Sequence, residues 1–314
     1  MPDSSPIAAI VGPTGSGKTE LSLALAARLP VEILVADSRQ VYRGMDIGTA
    51  KPDAAARNAV PHHLLDLVTP GEPFSVAVWA DAARRVLPEV QARGRLPLVV
   101  GGSGLYLAAL LDGYVFGTAP RPEHRAQLDH ELVTVGVAVL AARLEAIDPA
   151  TAARTDLRNP RRVVRALERA AAPQRPATPL TRPWGGPTRL LGVSRPPDVL
   201  NRRIDERAEW LFANGLLAEV HALLDAGHDP TKGPLTSHGY GEAARHLAGE
   251  WSLEEAVSIT ARRTRQYAKR QRTWFRRDRR ITWLAAGDGP ADDATLVIEA
   301  LGLLVGLRAE VAPT

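Results

Sequence analysis

The 314-residue sequence contains no cysteine, which excludes disulfide bonds, thiolate metal ligands and a cysteine nucleophile. It also lacks any apolar run near the roughly 20 residues that a membrane-spanning helix requires. The opening residues MPDSSP show no basic segment followed by an apolar one, so no signal peptide is predicted. We therefore expect a soluble, cytoplasmic protein that does not act at a membrane.

Aromatic residues are few, at 5%, and the charges nearly balance, with 39 Lys and Arg against 35 Asp and Glu. The length suffices for one large domain or two smaller ones. A net charge of +4 is by itself a weak indication of a polyanionic partner. The distribution of the basic residues is more informative than their sum, because they concentrate in one C-terminal segment.

Short apolar segments alternate with amphipathic ones. IAAIV, VEILVA, LPLVV and TRLLGVS are typical of buried parallel strands, and HHLLDLV and ITWLAAG are compatible with two more. TELSLALAARL and SVAVWADAARRVLPEVQARG predict helices, the second kinked or split at Pro88. The pattern predicts an α/β fold, in which a P-loop parallel sheet carries helices on both faces.

A charged, helical stretch without a clear strand starts at residue 117 and ends in the Pro-rich segment APQRPATPLTRPWGGP. We predict a helical insertion domain at 117–187 within a core formed by 1–116 and 188–314. The core then continues as helical sequence at 199–227, with a break near Asn214-Gly215, and as a helix that starts at Ser252.

The segment GPTGSGKT lies between the first strand and the first helix. Its spacing lets backbone N–H groups wrap around a diphosphate, while Lys18 supplies a charge and the Thr19 hydroxyl can ligate Mg²⁺. The positive end of the following helix adds to this attraction. The predicted diphosphate-binding residues are Gly12, Pro13, Thr14, Gly15, Ser16, Gly17, Lys18 and Thr19, with Mg²⁺ as the cofactor.

The usual companions of a nucleotide-binding loop are hard to find. LPLVV ends in GGSG where a nucleotide hydrolase carries an acidic residue, and no arginine-bearing kinase lid is recognisable. Asp37 instead follows the second strand. Because strand ends form the active crevice of a parallel sheet, Asp37 should lie near the loop and accept a proton from an acceptor. A cap or turn role for Asp37 is the alternative.

Successive blocks of the sequence resemble the tRNA dimethylallyltransferase, or tRNA isopentenyltransferase, family. The blocks are GPTGSGKTELSLALA, VADSRQVYRGMDIGTAKP, PHHLLDL, PLVVGGSGLYLAALLDG, NPRRVVRALE, LNRRIDERAEWLFANGLLAEV, GYGEA and TRQYAKRQRTWFRR. They follow the family's order over nearly the whole chain. The resemblance implies transfer of a dimethylallyl group from dimethylallyl diphosphate to N6 of the adenosine 3′ of the anticodon. The loop would then hold a diphosphate leaving group rather than ATP.

The resemblance also implies roles for single residues. Asp37 matches the family's proposed general base, and Lys18 and Thr19 would stabilise the departing diphosphate. The residues expected to contact the flipped target base or the tRNA are Asp37, Ser38, Arg39, Gln40 and Ser103. A helix N-cap is the alternative role for Ser103, which stands where the family commonly has threonine. Gly241 likewise replaces a commonly basic or bulkier residue.

Arg203 and Arg207 lie four residues apart on a predicted helix, so both can face one diphosphate. We count them among the catalytic residues. The alternative is a solvated helix face on which they pair with Asp205, Glu206 or Glu209.

Ten basic residues lie between positions 262 and 280, interleaved with Tyr267, Trp274 and Phe275. Such a run is usually a solvated face, but one-sided charge with aromatics favours RNA phosphate contact. The residues predicted to bind tRNA are Lys269, Arg270 and Arg272, with a second patch at Arg161, Arg162 and Arg165. A metal site at His62 and His63 with Asp66 is not expected, because adjacent strand residues face opposite sides.

The expected partners are dimethylallyl diphosphate and the anticodon stem-loop of tRNA, and the chain is expected to act as a monomer. Three alternatives remain open from the sequence. They are a P-loop small-molecule kinase, an isopentenyltransferase that acts on free adenine nucleotides, and an RNA-binding module without activity. The intact loop together with Asp37 argues against the last of these.

Overall fold

The computed structural model describes residues 5–114, 122–171 and 183–309. The chain divides into two compact units, Met1–Gly113 with Pro183–Thr314, and Tyr114–Arg182. Residues 183–187, which the composition assigns to the insertion, belong to the first unit. There the Trp184 backbone N–H donates to Leu111 O at 2.8 Å, and its indole N–H donates to Ser5 O at 3.0 Å. The predicted boundary at residue 117 lies outside the described residues.

The first unit is built on one parallel sheet. Its strands within the described residues are β1 (Ile7–Val11), β2 (Val31–Val35), β3 (His62–His63), β4 (Leu96–Gly101), β5 (Thr188–Ser194) and β6 (Ile281–Ala285). They are all parallel, in the order β3-β2-β4-β1-β5-β6. Every residue of β1 and β2 is buried, so both faces of the sheet are covered. The predicted P-loop α/β fold is confirmed, although β3 is much shorter than HHLLDLV.

Helices account for most of the remaining chain. Among the described residues they are α1 (Lys18–Ala26), α2 (Ala54–Ala59), α3 (Val76–Ala92), α4 (Gly104–Leu111), α5 (Pro122–Ile147), α6 (Pro149–Ala152), α7 (Pro160–Ala170), α8 (Pro197–Ala213), α9 (Leu216–Asp225), α10 (Tyr240–Leu247), α11 (Leu253–Phe275) and α12 (Pro290–Ala309). A 3-10 turn spans Gly233–Thr236. None of the helices in the described ranges is long and apolar enough to cross a bilayer.

The core of the first unit forms where helices cover the sheet. Leu25 of α1 and Leu304 of α12 share one buried cluster with Ile10 and Ile33 of the sheet. Trp79 of α3 is fully buried, and its indole N–H donates to the β2 carbonyl of Val35 at 3.0 Å. These contacts fix the strand ends that carry the site.

Pro88 lies within α3, which runs unbroken from Val76 to Ala92. The expectation that Pro88 would split this helix was wrong. Proline removes one helical hydrogen bond and crowds the carbonyl four residues earlier. Leu87 and Val90, on either side of it, are completely buried, and this packing holds the helix together.

The predicted break near Asn214-Gly215 is confirmed. Gly215 has a φ of 105°, a left-handed conformation that ends α8 and starts α9. The predicted start at Ser252 is also confirmed. The Ser252 hydroxyl accepts the Glu255 N–H at 3.1 Å, and the Glu255 carboxylate accepts the Ser252 N–H at 2.8 Å. This reciprocal pair is a capping box.

The second unit is helical throughout its described part. A left-handed Gly136, with a φ of 80°, interrupts α5. Leu140 and Leu144 of α5 pack with Val163 and Leu167 of α7 in a core of their own. The helical character expected for this region is therefore present.

Candidate active site

A cavity of about 490 Å³ opens at the carboxyl ends of β1, β2 and β4. Ligands bind at this edge of open parallel sheets. The lining residues that carry polar or charged groups include Lys18, Thr19, Asp37, Gln40, Arg203, Arg207, Tyr267 and Gln271. The structure thus brings together the phosphate loop, the aspartate after β2 and the arginine pair.

The phosphate loop depends on glycine at positions with unusual backbone angles. Gly12 has a φ of 146° and Gly17 a φ of 95°, in the region that other residues rarely adopt. A Cβ on Gly12 would also lie 2.7 Å from Val193 O of β5. No side chain caps the start of α1, so its first N–H groups are available to an anion.

Lys18 is the first residue of α1, and its ammonium donates to Pro13 O at 2.7 Å. Burial lowers the pKa of Lys18 to about 8; the negative charge of Asp37 opposes this shift, and the positive charge of Arg207 adds to it. Two cations, Lys18 and Arg207, therefore lie near the carboxylates of Asp37 and Glu20. An anion bound beside them would raise the Lys18 pKa again.

Side chains from the C-terminal part of the chain hold the loop backbone at three successive residues. The bonds are Gln271 Oε1 to Thr14 N–H (2.9 Å), Arg203 Nε–H to Gly15 O (3.1 Å) and Arg195 Nε–H to Ser16 O (2.9 Å). Of the three, only Arg203 was predicted. Gln271 and Arg195 belong to no recognisable sequence motif, and it is the fold that brings them to the loop.

Arg195 follows β5, and its side chain is almost fully buried beneath the loop. Its guanidinium also donates to Gly287 O and pairs with Asp293 of α12 at 2.6 Å. A buried cation is costly unless it is paired and hydrogen-bonded, and Arg195 meets both conditions. Arg195 therefore connects the phosphate loop to the C-terminal helix α12.

Asp37 follows β2 and is half-buried. One of its carboxylate oxygens accepts the Arg39 N–H at 2.8 Å, which is the turn role considered as an alternative. The other oxygen has no hydrogen-bond partner among residues 5–114, 122–171 and 183–309. The turn orients the carboxylate and leaves this oxygen for an acceptor's proton, so the two roles are compatible.

Ser103 stands at the N-cap position of α4, but its hydroxyl makes no capping bond. It accepts the Ser38 N–H at 3.1 Å, which connects the turn after β4 to the segment after β2. Gln40 lines the cavity, and its amide donates to Thr49 O at 3.0 Å and to Ala50 O at 3.1 Å. Hydrogen bonds to Ser103, Thr49 and Ala50 therefore hold residues 38–40, which were predicted to receive the base.

Glu219 of α9 anchors residues 46–48, which directly precede the cavity-lining residues Thr49 and Ala50. Its carboxylate accepts the N–H groups of Asp46 (2.8 Å), Ile47 (2.7 Å) and Gly48 (3.1 Å), and the Tyr240 hydroxyl at 2.5 Å. Burial, with Glu219 adjacent, raises the Tyr240 pKa above its usual range. Sequence reasoning missed Glu219, because the three backbone N–H groups that it binds lie more than 170 residues away.

Arg203 and Arg207 occupy the cavity side of α8. Arg203 contacts Glu20 at 3.4 Å besides its bond to the loop. Burial lowers the Arg207 pKa, with Asp37 opposing the shift, and Arg207 forms no ion pair within the described part of the chain. Neither arginine pairs with an acidic neighbour of its own helix there, and Asp205 instead pairs with Arg265.

Mg²⁺ is the metal that the phosphate loop implies. The Thr19 hydroxyl lines the cavity and makes no hydrogen bond to another described residue, so it is available as a ligand. Oxygen ligands, here the Thr19 hydroxyl, are the type that Mg²⁺ prefers, together with substrate phosphates. No group of three or more His, Asp or Glu suited to a metal occurs among the described residues.

His62 and His63 have packing roles. His62 Nδ1 lies 2.8 Å from Val60 O, and His63 Nε2 lies 2.8 Å from the buried carboxylate of Glu32. Asp66 pairs with Lys51 at 2.5 Å instead of approaching the histidines.

Several residues of the basic helix α11 are part of the packing. Arg263 pairs with the buried Glu242 of α10, and Arg265 pairs with Asp205 of α8. Phe275 is 2% exposed and belongs to the core. These residues tie α11 to its neighbours.

Other residues of α11 are accessible. Lys269 and Arg270 are exposed and Arg272 is half-buried, and none of them has an acidic partner among the described residues. The Arg270 guanidinium lies 5.7 Å from the centre of the Tyr267 ring, which lines the cavity. Burial, with Asp37 next in importance, raises the Tyr267 pKa to about 12. Trp274 is 47% exposed, so its ring is open to a base.

In the second unit, Arg161 and Arg162 are exposed in the first turn of α7. Arg165 is also exposed, but its guanidinium contacts the buried Glu168 at 3.1 Å. Two of the three predicted arginines are therefore freely presented at the surface of this unit.

Two family models match the chain. The model described as IPP transferase matches residues 40–278, and the one described as isopentenyl transferase matches residues 5–63. Together they include the phosphate loop, Asp37 and the whole of the basic helix α11.

The chain is similar to curated and solved tRNA-modifying enzymes. It is 46% identical to the tRNA dimethylallyltransferase of Roseiflexus sp. strain RS-1 over 87% of this chain and 90% of that one, and 47% identical to that of Anaeromyxobacter dehalogenans strain 2CP-C over 88% and 93%. A tRNA isopentenylpyrophosphate transferase structure from Bacillus halodurans aligns with a TM-score of 0.72, 38% identity and 98% coverage of both chains. A eukaryotic dimethylallyltransferase acting on tRNA aligns with a TM-score of 0.80 and 25% identity, covering 98% of this chain and 80% of that one. The chain therefore belongs to the tRNA dimethylallyltransferase family of prenyltransferases.

Proposed function

We propose that this protein transfers the dimethylallyl group of dimethylallyl diphosphate to N6 of the adenosine immediately 3′ of the anticodon in tRNA. The product is N6-isopentenyladenosine. The observation that carries the proposal is a single cavity lined by both the phosphate loop and the carboxylate of Asp37. Such a cavity can bind a diphosphate ester and deprotonate an acceptor in the same place.

The leaving group is the first requirement. As the N6–C1 bond forms, the bond from C1 to the diphosphate oxygen breaks, and the diphosphate departs with the electron pair. Lys18, Arg203 and Arg207 line the cavity beside the loop amides, where they stabilise this developing charge. Because the reacting carbon is allylic, it carries partial cationic character, and stabilising the departing anion supplies much of the rate.

The acceptor is the second requirement. The exocyclic N6 of adenine is a weak nucleophile, and it becomes acidic only as its new bond to carbon forms. The free carboxylate oxygen of Asp37 takes the proton from N6 at that stage. The turn bond from the Arg39 N–H holds the carboxylate in place, so little reorganisation is needed.

Thr19 is the protein ligand that would hold Mg²⁺ together with the diphosphate oxygens. The metal, when bound, neutralises part of the negative charge on the leaving group. Lys18 and the loop N–H groups keep the diphosphate oriented on the same side of the cavity.

The tRNA must present an unstacked adenine. We propose that the base is flipped into the cavity past Ser38, Arg39 and Gln40, and that Ser103 supports this segment. Lys269, Arg270 and Arg272 of α11 bind backbone phosphates of the anticodon stem-loop. The helical unit, predicted as residues 117–187, contributes further tRNA contacts through the exposed arginines of α7. We further propose that the protein acts as a monomer in the cytoplasm, where its substrate tRNA resides.

A labelled-substrate assay tests the proposal directly. Protein is incubated with dimethylallyl diphosphate, labelled in the allyl group, and in turn with tRNA, AMP or no acceptor; a parallel reaction contains γ-labelled ATP. Label is expected in tRNA, at the adenosine 3′ of the anticodon. Label in AMP alone would show that the acceptor is a free nucleotide and not tRNA. Phosphoryl transfer from ATP without prenylation would establish a kinase instead.

A further inference from the structure

Gln271 is a buried amide in the middle of the basic helix. It is 6% exposed and lies between Arg270 and Arg272. Its Oε1 accepts the Thr14 N–H of the phosphate loop at 2.9 Å, and its Nε2 donates to Gly102 O after β4 at 2.9 Å. One side chain of α11 therefore connects two loops that line the cavity.

The Gln271 amide packs closely against the backbone of Gly102. A Cβ on Gly102 would lie 2.2 Å from the Gln271 Nε2 atom, so the loop can approach the amide only because residue 102 is glycine. Three residues before Gln271, Ala268 packs in a buried cluster with Ile204 of α8. A Cβ on Gly15 would lie 3.1 Å from the Ile204 side chain, so Ile204 packs directly against the phosphate loop. Helix α11 is thus seated against the phosphate loop by packing as well as by hydrogen bonds.

We propose that Gln271 is a positioning residue that couples tRNA binding on α11 to diphosphate binding at the phosphate loop. The inference rests on the proposed function. The amide fixes the direction of the Thr14 N–H and the distance between the helix and the loop. RNA phosphates bound at Lys269 and Arg272 hold α11 in place, and through Gln271 they hold the loop in its anion-binding form.

Such coupling is reciprocal by thermodynamic necessity. RNA must strengthen diphosphate binding by the same factor by which diphosphate strengthens RNA binding. We expect a factor of at least about fivefold, the lower end of typical coupling between sites. A residue with only a structural role would change stability without changing this factor.

The variant Gln271→Met keeps the length of the side chain and removes both hydrogen-bonding groups. The half-buried Thr14 N–H then loses its partner, and we expect the affinity for inorganic pyrophosphate, measured without RNA, to fall about tenfold. The increase in pyrophosphate affinity that an anticodon stem-loop RNA causes should also disappear. Thr260→Val is the matched control. Thr260 is buried on the same helix, and its hydroxyl has no hydrogen-bond partner within the described residues.

The same connection can be broken from the loop side. The methyl group of Gly102→Ala would take the position of the Gln271 amide, so this variant should reproduce the loss of coupling even if Gln271→Met does not fold. The measurements are pyrophosphate Kd by calorimetry with and without the stem-loop, and thermal melting of each variant.

Three results would overturn the inference. The first is that the pyrophosphate Kd of the wild-type protein agrees within about twofold with and without RNA. The second is that Gln271→Met or Gly102→Ala folds and keeps the wild-type coupling between RNA and pyrophosphate. The third is that Thr260→Val loses this coupling to the same extent. These results differ from a failure of the proposed function. The proposed function would fail if the wild-type protein transferred no label from dimethylallyl diphosphate to tRNA.

Discussion

The affinity for dimethylallyl diphosphate should depend on pH through Lys18. Burial lowers the pKa of this ammonium to about 8. A diphosphate bound at the loop adds negative charge next to it and raises the pKa again. Since the complex favours the protonated form, binding takes up a proton wherever Lys18 of the free protein is neutral, which is above about pH 8.

The size of the effect follows from this pKa. Around pH 7 Lys18 is charged in both states, so Kd should be nearly constant. At pH 9 only about one tenth of the free protein carries a charged Lys18, and Kd should rise about tenfold. Proton uptake should be about 0.5 per ligand at pH 8 and about 0.9 at pH 9. The terminal phosphate, with a second pKa of about 6, is already ionised over this range.

Calorimetry without tRNA, from pH 7 to 9.5, measures both quantities when it is run in two buffers with different heats of ionisation. The control is Lys18→Arg, whose guanidinium stays charged throughout and should give a flat Kd profile. A flat wild-type profile without proton uptake would refute the reasoning. An equal slope in Lys18→Arg would assign the titration to another group.

Three further outcomes follow from the site. Asp37→Asn should lower kcat for prenylation of tRNA at least about 100-fold while pyrophosphate Kd changes little, and near-normal kcat would remove Asp37 from the base role. Glu219→Ala leaves three backbone N–H groups without their acceptor and should lower the free energy of unfolding by about 2 kcal/mol in denaturant titration, whereas exposed Glu209→Ala should change it by under about 0.5. Removing Lys269 and Arg272 together should reduce the slope of log K against log salt for tRNA binding by about 1.5 to 2, and an unchanged slope would contradict their phosphate contacts.

The parts of the fold that the sequence predicts are those set by neighbouring residues. The apolar runs of β1 and β4 and the largely apolar run of β2 indicated buried parallel strands, and the capping pair Ser252 and Glu255 marked the start of α11. The glycine spacing of the phosphate loop is likewise a local signal. Asp37 was placed beside the loop by the rule that strand ends meet at one edge of a sheet.

The parts that it does not predict depend on distant contacts. Gln271, Arg195 and Glu219 bind backbone groups that are 257, 179 and 172 residues away, so nothing near them in the chain reveals their roles. Helix α12 carries buried residues at Leu296, Ala300, Leu304 and Leu307, a helical spacing, but Gly302 and Gly306 lower its intrinsic propensity. The expected split at Pro88 was wrong for the same reason, since burial of its neighbours overrides local preference.

The hold on the phosphate loop by residues of the C-terminal part has a consequence for biosynthesis. A ribosome that has made only residues 1–187 has completed the entire loop motif, yet the side chains of Arg195, Arg203 and Gln271 do not exist. Strand β5 is also absent at that stage, and β1 is left as the edge of the sheet with its hydrogen-bonding groups open to any other strand. The growing chain can thus carry the motif without the anion site, and β1 stops being an edge strand only when residues 188–194 pair with it. Strand β5 is then the edge until β6 is made.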